Sequence, residues 1–190
     1  MNGNVKRGFH VPIHSHIHFH SFMSNNRTLI LNAVQIEQRI DRLAWQIYEQ
    51  CSDEKEIIVA GIASSGYELA KRICKVLESV SPIRTKLTEM KLDKENPLKQ
   101  PVINGLNVED LSGKTVVVID DVSNSGRTLM YGVKYFLESP VKTVLTLVLV
   151  DRDHNRFPVK TNFVGLSLAT TLQEHISVEL GTGTDAVYLD

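Results

Sequence analysis

Three short stretches of the chain are almost wholly apolar: residues 56–63 (EIIVAGIA), 115–120 (TVVVID) and 144–150 (VLTLVLV). Runs of this length, rich in β-branched residues, suit strands covered on both faces. Between them the period changes. Leu69, Ile73, Val76 and Leu77 recur at helical spacing across 67–80, and Pro82 stops that helix. Residues 127–138 read as another helix, after a turn over 121–126. Upstream, Ile36, Ile40, Leu43 and Ile47 share one helical face, and Asn32 is placed to cap it. Trp45 falls on the opposite face of that helix, where it is either exposed or set against a partner subunit. Loose alternation over 83–92 reads as a strand, and 163–166, 176–180 and 186–189 are short strand candidates. The polar stretch 93–107, with Pro97, Pro101 and Gly105, reads as a long loop. Strands alternating with helices, with the strands apolar throughout, predict an α/β fold with a parallel sheet and right-handed crossovers.

Length and charge narrow the classes. A chain of 190 residues suits one domain with at most a small appendage. A net charge of -1 removes any global pull towards nucleic acid or membrane. No apolar run reaches the roughly 20 residues that a membrane helix needs. The two cysteines, Cys51 and Cys74, show neither metal spacing nor a disulfide framework, so a reducing, cytoplasmic location is expected. Five of the seven histidines lie in residues 1–22: His10, His14, His16, His18 and His20. The last four alternate along the chain, which would place them on one face of an extended segment. That reads as a metal-binding tail or as an unstructured leader, and the missing cysteine or carboxylate partner favours the leader.

In open parallel sheets, ligands bind beyond the carboxyl ends of the strands. The segments there are Ala63-Ser64-Ser65-Gly66, Asp120-Asp121 with its turn, and Asp151-Arg152. The second is the most informative, because 116–128 reads VVVIDDVSNSGRT. The turn and the start of the next helix supply unpaired backbone amides that suit a phosphate. Gly126 permits close approach, while Ser125 and Thr128 add hydroxyls. Two acids beside an anion cradle suit a ligand that carries hydroxyls or a metal next to its phosphate, as ribose 5-phosphate does. Two other glycine patterns carry no such chemistry. Gly61-x-x-x-x-Gly66 is followed by Tyr67-Glu68 rather than Lys-Ser/Thr, and Gly181-x-Gly183-x-x-Ala186 leaves no room for a following helix and strand.

The 116–128 string closely resembles the 5-phosphoribosyl-1-pyrophosphate (PRPP) motif of the type I phosphoribosyltransferases. Residues 58–73 (IVAGIASSGYELAKRI), 148–159 (VLVDRDHNRFPV) and 163–165 (FVG) resemble the pyrimidine-operon attenuator branch, which has uracil phosphoribosyltransferase activity. The similarity spans about residues 24–180, leaving 1–22 as a His-rich leader and 23–190 as the transferase domain.

The resemblance implies a mainly parallel five-stranded sheet flanked by helices. It also implies a small hood over the base, formed by the N-terminal helix region and the C-terminal strands. It gives Asp120 and Asp121 the ribose hydroxyls, Ser123, Asn124, Ser125, Gly126, Arg127 and Thr128 the 5′-phosphate, and Ala63, Ser64, Ser65 and Gly66 the pyrophosphate. Asp151 and Arg152 would face the base, with a surface ion pair as the bland reading, and Mg2+ would ride mainly on the pyrophosphate. The partners implied are PRPP, a nucleobase and further copies of the chain in a homodimer or higher homo-oligomer, with no membrane.

Departures bear on the details. The pyrophosphate loop carries no basic residue. Lys94 stands where the attenuator branch has an arginine in its flexible loop. Gly181 replaces an acid, with Asp185 nearby to compensate. Asn124 stands where purine-using relatives carry an acid, and an amide cannot act as a base; this favours a pyrimidine. Arg152, His154, Arg156 and Lys160 form a small basic cluster, so an RNA-binding regulator of pyrimidine genes with weak or no catalysis is one alternative, not the favoured one, and a phosphoribosyltransferase for another base is the other.

Overall fold

The structure is a computed structural model and describes residues 27–62, 64–93, 96, 102–103, 106–154, 156–169, 171, 174–181 and 183–190. The His-rich leader, Ala63 and Lys94 lie outside the described residues.

The chain enters through β1 (Thr28–Asn32), a strand that the hydrophobic pattern did not single out, and continues directly into α1 (Ala33–Gln50). Asn32 caps α1 as expected: its Oδ1 accepts from Gln35 N at 2.9 Å, and the Gln35 side chain accepts from Asn32 N at 3.0 Å. The core alternates β2 (Glu56–Ile62), α2 (Ser65–Val80), β3 (Arg84–Lys91), the two-residue β4 (Val102–Ile103), the short α3 (Val108–Leu111), β5 (Thr115–Ser123), α4 (Arg127–Leu137), β6 (Thr143–Asp151) and β7 (Phe163–Ser167). Two last strands follow, β8 (Ile176–Glu179) and β9 (Ala186–Leu189).

These strands form a six-stranded sheet in the order β4-β3-β2-β5-β6-β7. β3, β2, β5, β6 and β7 are parallel, and only β4 runs antiparallel, against β3 at the edge. Both faces of this sheet are covered. Ile57, Val59, Val117, Ile119, Leu147 and Leu149 point to the face packed by α1 and α2. Their alternates Ile58, Ala60, Ile62, Val116, Val118 and Val148 point to the face packed by Leu129 and Phe136 of α4. This double burial is why β2, β5 and β6 are apolar at nearly every central position, and each fully buried aliphatic side chain contributes about 1.5–3 kcal/mol.

The hood is a separate antiparallel sheet, β1-β9-β8. Here the structure corrects the sequence reading in one respect. Among the described residues of the N-terminal region only β1 joins the hood, while α1 buries Ile36, Ile40, Leu43, Ala44 and Ile47 in the main core. Arg27 locks this sheet by donating to Asp190 Oδ1, Ser177 Oγ and Glu179 Oε1, each at 2.8 Å, over the face of Tyr188. Trp45 stays 48% exposed, tilted against Tyr48. Cys51 and Cys74 are free and buried, and burial pushes both thiols up to about 11. No helix among the described residues is long and apolar enough to cross a membrane.

Candidate active site

In the sheet order, β3 lies on one side of β2 and β5 on the other, so the chain reverses its direction of winding between β2 and β5. Such a switch point leaves a crevice at the carboxyl ends of the two strands. The register shows it: β2 and β5 last pair at Gly61 and Ile119, yet β5 runs on beside β6 to Ser123. The expected turn over 121–126 is therefore shorter, since Asp121, Val122 and Ser123 still belong to the strand.

Asp120 is the first residue past the β2 pairing. It is 1% exposed, more buried than a simple strand-end residue, and its Oδ1 accepts from Asp121 N at 3.0 Å. Asp121 is half-buried, and its Oδ1 accepts from Val122 N at 2.9 Å. Asn124, Ser125 and Gly126 then make the turn. Ser125 O accepts from Arg156 N at 2.9 Å and Phe157 N at 3.1 Å, which pins the turn from outside. Gly126 adopts φ 75°, a left-handed conformation that favours glycine, and α4 starts at the next residue with no side-chain cap. Among the described residues Arg127 N reaches only Ser125 Oγ, at a long 3.4 Å, and the amides that follow it in the first turn of α4 are left for a ligand. Ser123 Oγ is buried with no hydrogen-bond partner among the described residues, a further donor at the cradle.

A cavity of about 400 Å³ opens here, lined by residues 120–129 with Arg152, His175 and Ile176. The expected pyrophosphate loop borders it through glycine. A Cβ on Gly66 would come within 3.0 Å of Asp120 Cα and of Ile119 O, and one on Gly61 within 2.5 Å of Tyr67 Cα. Only glycines let the start of α2 press this closely on β2 and β5. Ser64 is exposed and makes no side-chain cap to α2; β2 and β5 are parallel, so the start of α2 and the acids lie at the same edge of the sheet.

Asp151 and Arg152 differ in their placement. Asp151 falls outside the cavity lining, and its Oδ1 accepts from Asp153 N at 3.0 Å, holding Asp153 at φ 54°. Arg152 lines the cavity and is 4% exposed, so it is no surface ion pair. It donates to Asn124 Oδ1 at 3.1 Å and to the carbonyls of Thr171 and Glu174 at 3.0 and 2.6 Å. It is thereby withdrawn from the basic cluster, whose members Arg156 and Lys160 remain exposed.

Two contributors escaped sequence reasoning. His175 and Ile176 reach the cavity from the hood, and no local motif marks them. Arg72 binds Asp185 through both carboxylate oxygens, so α2 holds the segment that carries Gly181. This guanidinium is the largest cause of an Asp185 carboxyl held below the usual carboxylate range.

The residues fit a magnesium ion that travels with the substrate. Two carboxylates stand at the cavity, and no group of three or more His, Cys, Asp or Glu among the described residues could hold a metal by itself. Mg2+ keeps several waters and takes one or two carboxylates plus substrate phosphates, which matches such a set.

A doubly wound parallel sheet with two acids and an amide turn at the switch point, under a small hood, defines the type I phosphoribosyltransferase class. The chain belongs to that family: residues 26–185 match the phosphoribosyl transferase domain. Among curated proteins it is similar to the Bifunctional protein PyrR of Trichormus variabilis, at 32% identity over 84% of this chain and 93% of that one. The Bifunctional protein PyrR of Brevibacillus brevis matches at 28% identity over 82% of this chain and 90% of that one. Among solved structures, a hypoxanthine phosphoribosyltransferase of Trypanosoma cruzi superposes with a TM-score of 0.66 at 15% identity, covering 77% of this chain and 73% of that one. A purine phosphoribosyltransferase of Pyrococcus horikoshii superposes with a TM-score of 0.55 at 26% identity, covering 72% and 85%.

Proposed function

We propose that the chain transfers ribose 5-phosphate from PRPP to uracil and releases pyrophosphate. The observation that carries this is the Asp120-Asp121 pair set between the amide turn of 124–128 and the Gly66 approach, at the β2/β5 crevice. The turn and the first amides of α4 hold the 5′-phosphate. Asp120 and Asp121 accept from the ribose hydroxyls. Ser64, Ser65 and the first turn of α2 hold the leaving pyrophosphate.

As the bond from C1′ to pyrophosphate oxygen breaks, positive charge develops on the ribose, as in glycoside cleavage. The two carboxylates stabilise that charge in a partly dry site. The base nitrogen then bonds to C1′, and its proton passes to the departing pyrophosphate, since Asn124 cannot accept it. Asp120 and Asp121, together with the substrate's phosphates, would hold a magnesium ion, which would supply charge neutralisation for the leaving pyrophosphate. No Lys or Arg stands in Ser64-Ser65-Gly66. A missing electrostatic contact of this kind costs about 2.7–4 kcal/mol, roughly 10²–10³ in rate, so turnover is slow.

Asn124 in the phosphate turn cannot deprotonate a base, which favours uracil over a purine. The curated relatives are named bifunctional, so RNA regulation is the second reading. The burial of Arg152 leaves Arg156 and Lys160 as the exposed cations of that cluster, and with a net charge of -1 RNA binding is weak at physiological salt. We further place the enzyme in a reducing cytoplasm, as a homodimer or higher homo-oligomer.

The deciding experiment incubates the protein with PRPP, magnesium and each common base. Formation of uridine monophosphate that stops with EDTA supports the proposal. Turnover with purines alone overturns the uracil assignment. No turnover, with tight salt-sensitive binding to one RNA hairpin, makes the chain a regulator.

A further inference from the structure

Arg152 joins two elements that the sequence keeps apart. Its Nη1 donates to Asn124 Oδ1 at 3.1 Å, and its Nη2 donates to Thr171 O at 3.0 Å and Glu174 O at 2.6 Å. Its own backbone N donates to Ser123 O at 3.0 Å. One 4%-exposed guanidinium therefore holds both the phosphate turn and the chain leading to His175 and Ile176. Asn124 lines the same cavity as His175 and Ile176, and Arg152 ties it to the chain that leads to them.

A guanidinium has donors and no acceptor. The amide of Asn124 must therefore turn its oxygen to Arg152, and its Nδ2 points the other way whichever orientation a free asparagine would prefer. Among the described residues, nothing accepts a hydrogen bond from that Nδ2. We infer that Arg152 fixes Asn124 as a hydrogen-bond donor to the base, so that the site selects a nucleobase presenting a ring carbonyl to it. Asn124 is then a specificity-determining residue and Arg152 its positioning residue. The inference rests on the proposed transferase reading and deepens it: the base is chosen by an acceptor on its edge, through an amide whose polarity a buried cation sets.

The test measures binding of uridine 5′-monophosphate and its 2-thio and 4-thio analogues to the full chain by calorimetry, since a thiocarbonyl is a poor acceptor. The wild type should bind at least one thio nucleotide about tenfold more weakly than the oxygen compound, the worth of one hydrogen bond. Asn124→Leu should bind the oxygen compound about tenfold more weakly and lose the discrimination. Arg152→Lys keeps the charge but lacks the rigid fork whose two separate nitrogens reach Asn124 on one side and the Thr171 and Glu174 carbonyls on the other, and it should lose the discrimination too, which a merely structural role would not produce. Equal binding of all three nucleotides by the wild type, or a ratio unchanged in Asn124→Leu, overturns the inference. Loss in Asn124→Leu with full retention in Arg152→Lys overturns the role of Arg152. A wild type that binds the nucleotides with the expected ratios yet turns over no uracil supports the inference and sinks the transferase reading. Absence of any uridine monophosphate binding overturns the inference, and turnover of another base would then uphold transferase activity without it.

Discussion

The guanidinium of Arg72 on α2 donates to both carboxylate oxygens of Asp185, with Nη2 to Oδ1 at 3.1 Å, and Asp185 Oδ1 also accepts from Gly181 N at 3.0 Å. The residue pair is separated by more than half of the chain. It ties the hood to the helix that starts at the Ser64-Ser65-Gly66 loop, so the cover and the leaving-group side of the site share one anchor.

Asp185→Asn should therefore lower stability by about 1–2 kcal/mol, as expected for a charge-assisted pair that is partly shielded from water. Because Arg72 lowers the Asp185 carboxyl in the folded state, the pair's contribution is complete above the ordinary carboxylate range. It fades as pH falls through the lowered value. Urea unfolding of the two proteins should show the full difference at pH 7, shrinking below about pH 4. A difference that does not shrink would separate Asp185 from that titration.

Asp120→Asn combined with Asp121→Asn keeps shape and removes two charges. PRPP affinity should fall by about 100-fold or more, taking roughly 1.5 kcal/mol for each charge-assisted bond lost. The melting temperature should stay within a few degrees, because both acids accept from neighbouring amides that an asparagine oxygen also satisfies. Calorimetry that returns wild-type affinity would move the ribose site elsewhere.

Gly66→Ala adds a Cβ 3.0 Å from both Asp120 Cα and Ile119 O. Neither backbone atom can yield without moving β5, so α2 must shift. A cost of about 1–3 kcal/mol is expected, with weaker PRPP binding. Thermal melts and PRPP titration of the same variant check both effects, and a variant as stable and as tight-binding as the wild type would show that the approach is not needed.

A chain beginning at Met23 should keep its melting temperature and its turnover. The ties of Arg27 to Ser177, Glu179 and Asp190 remain in such a chain. A marked loss of either would show that the His-rich residues act on the domain.

Ile58 and Val117 show why the main sheet was legible in the sequence. A strand packed on both faces has no polar positions to spare, so the parallel sheet announces itself as unbroken apolar runs. The PRPP turn was legible for a related reason: acid pair, Ser, Gly and helix start are consecutive, and local backbone chemistry demands each. β1 was hidden because Leu29 is 54% exposed and only Leu31 is fully buried, which leaves too weak an alternation over five residues.

What the sequence determined by itself, then, was everything carried by neighbours along the chain: the apolar strands, the capped helices, and the string from Asp120 to Thr128. Only the tertiary structure decided what sits opposite that string. Asp151 and Arg152 are adjacent, yet one turns back to Asp153 N while the other is buried against Asn124, Thr171 and Glu174. His175 and Ile176 gain their place only because β8 pairs with β9 and β9 with β1. Such contacts depend on long-range packing, where a side chain's partner is set by which elements meet, and no periodicity or motif in the residues nearby records it.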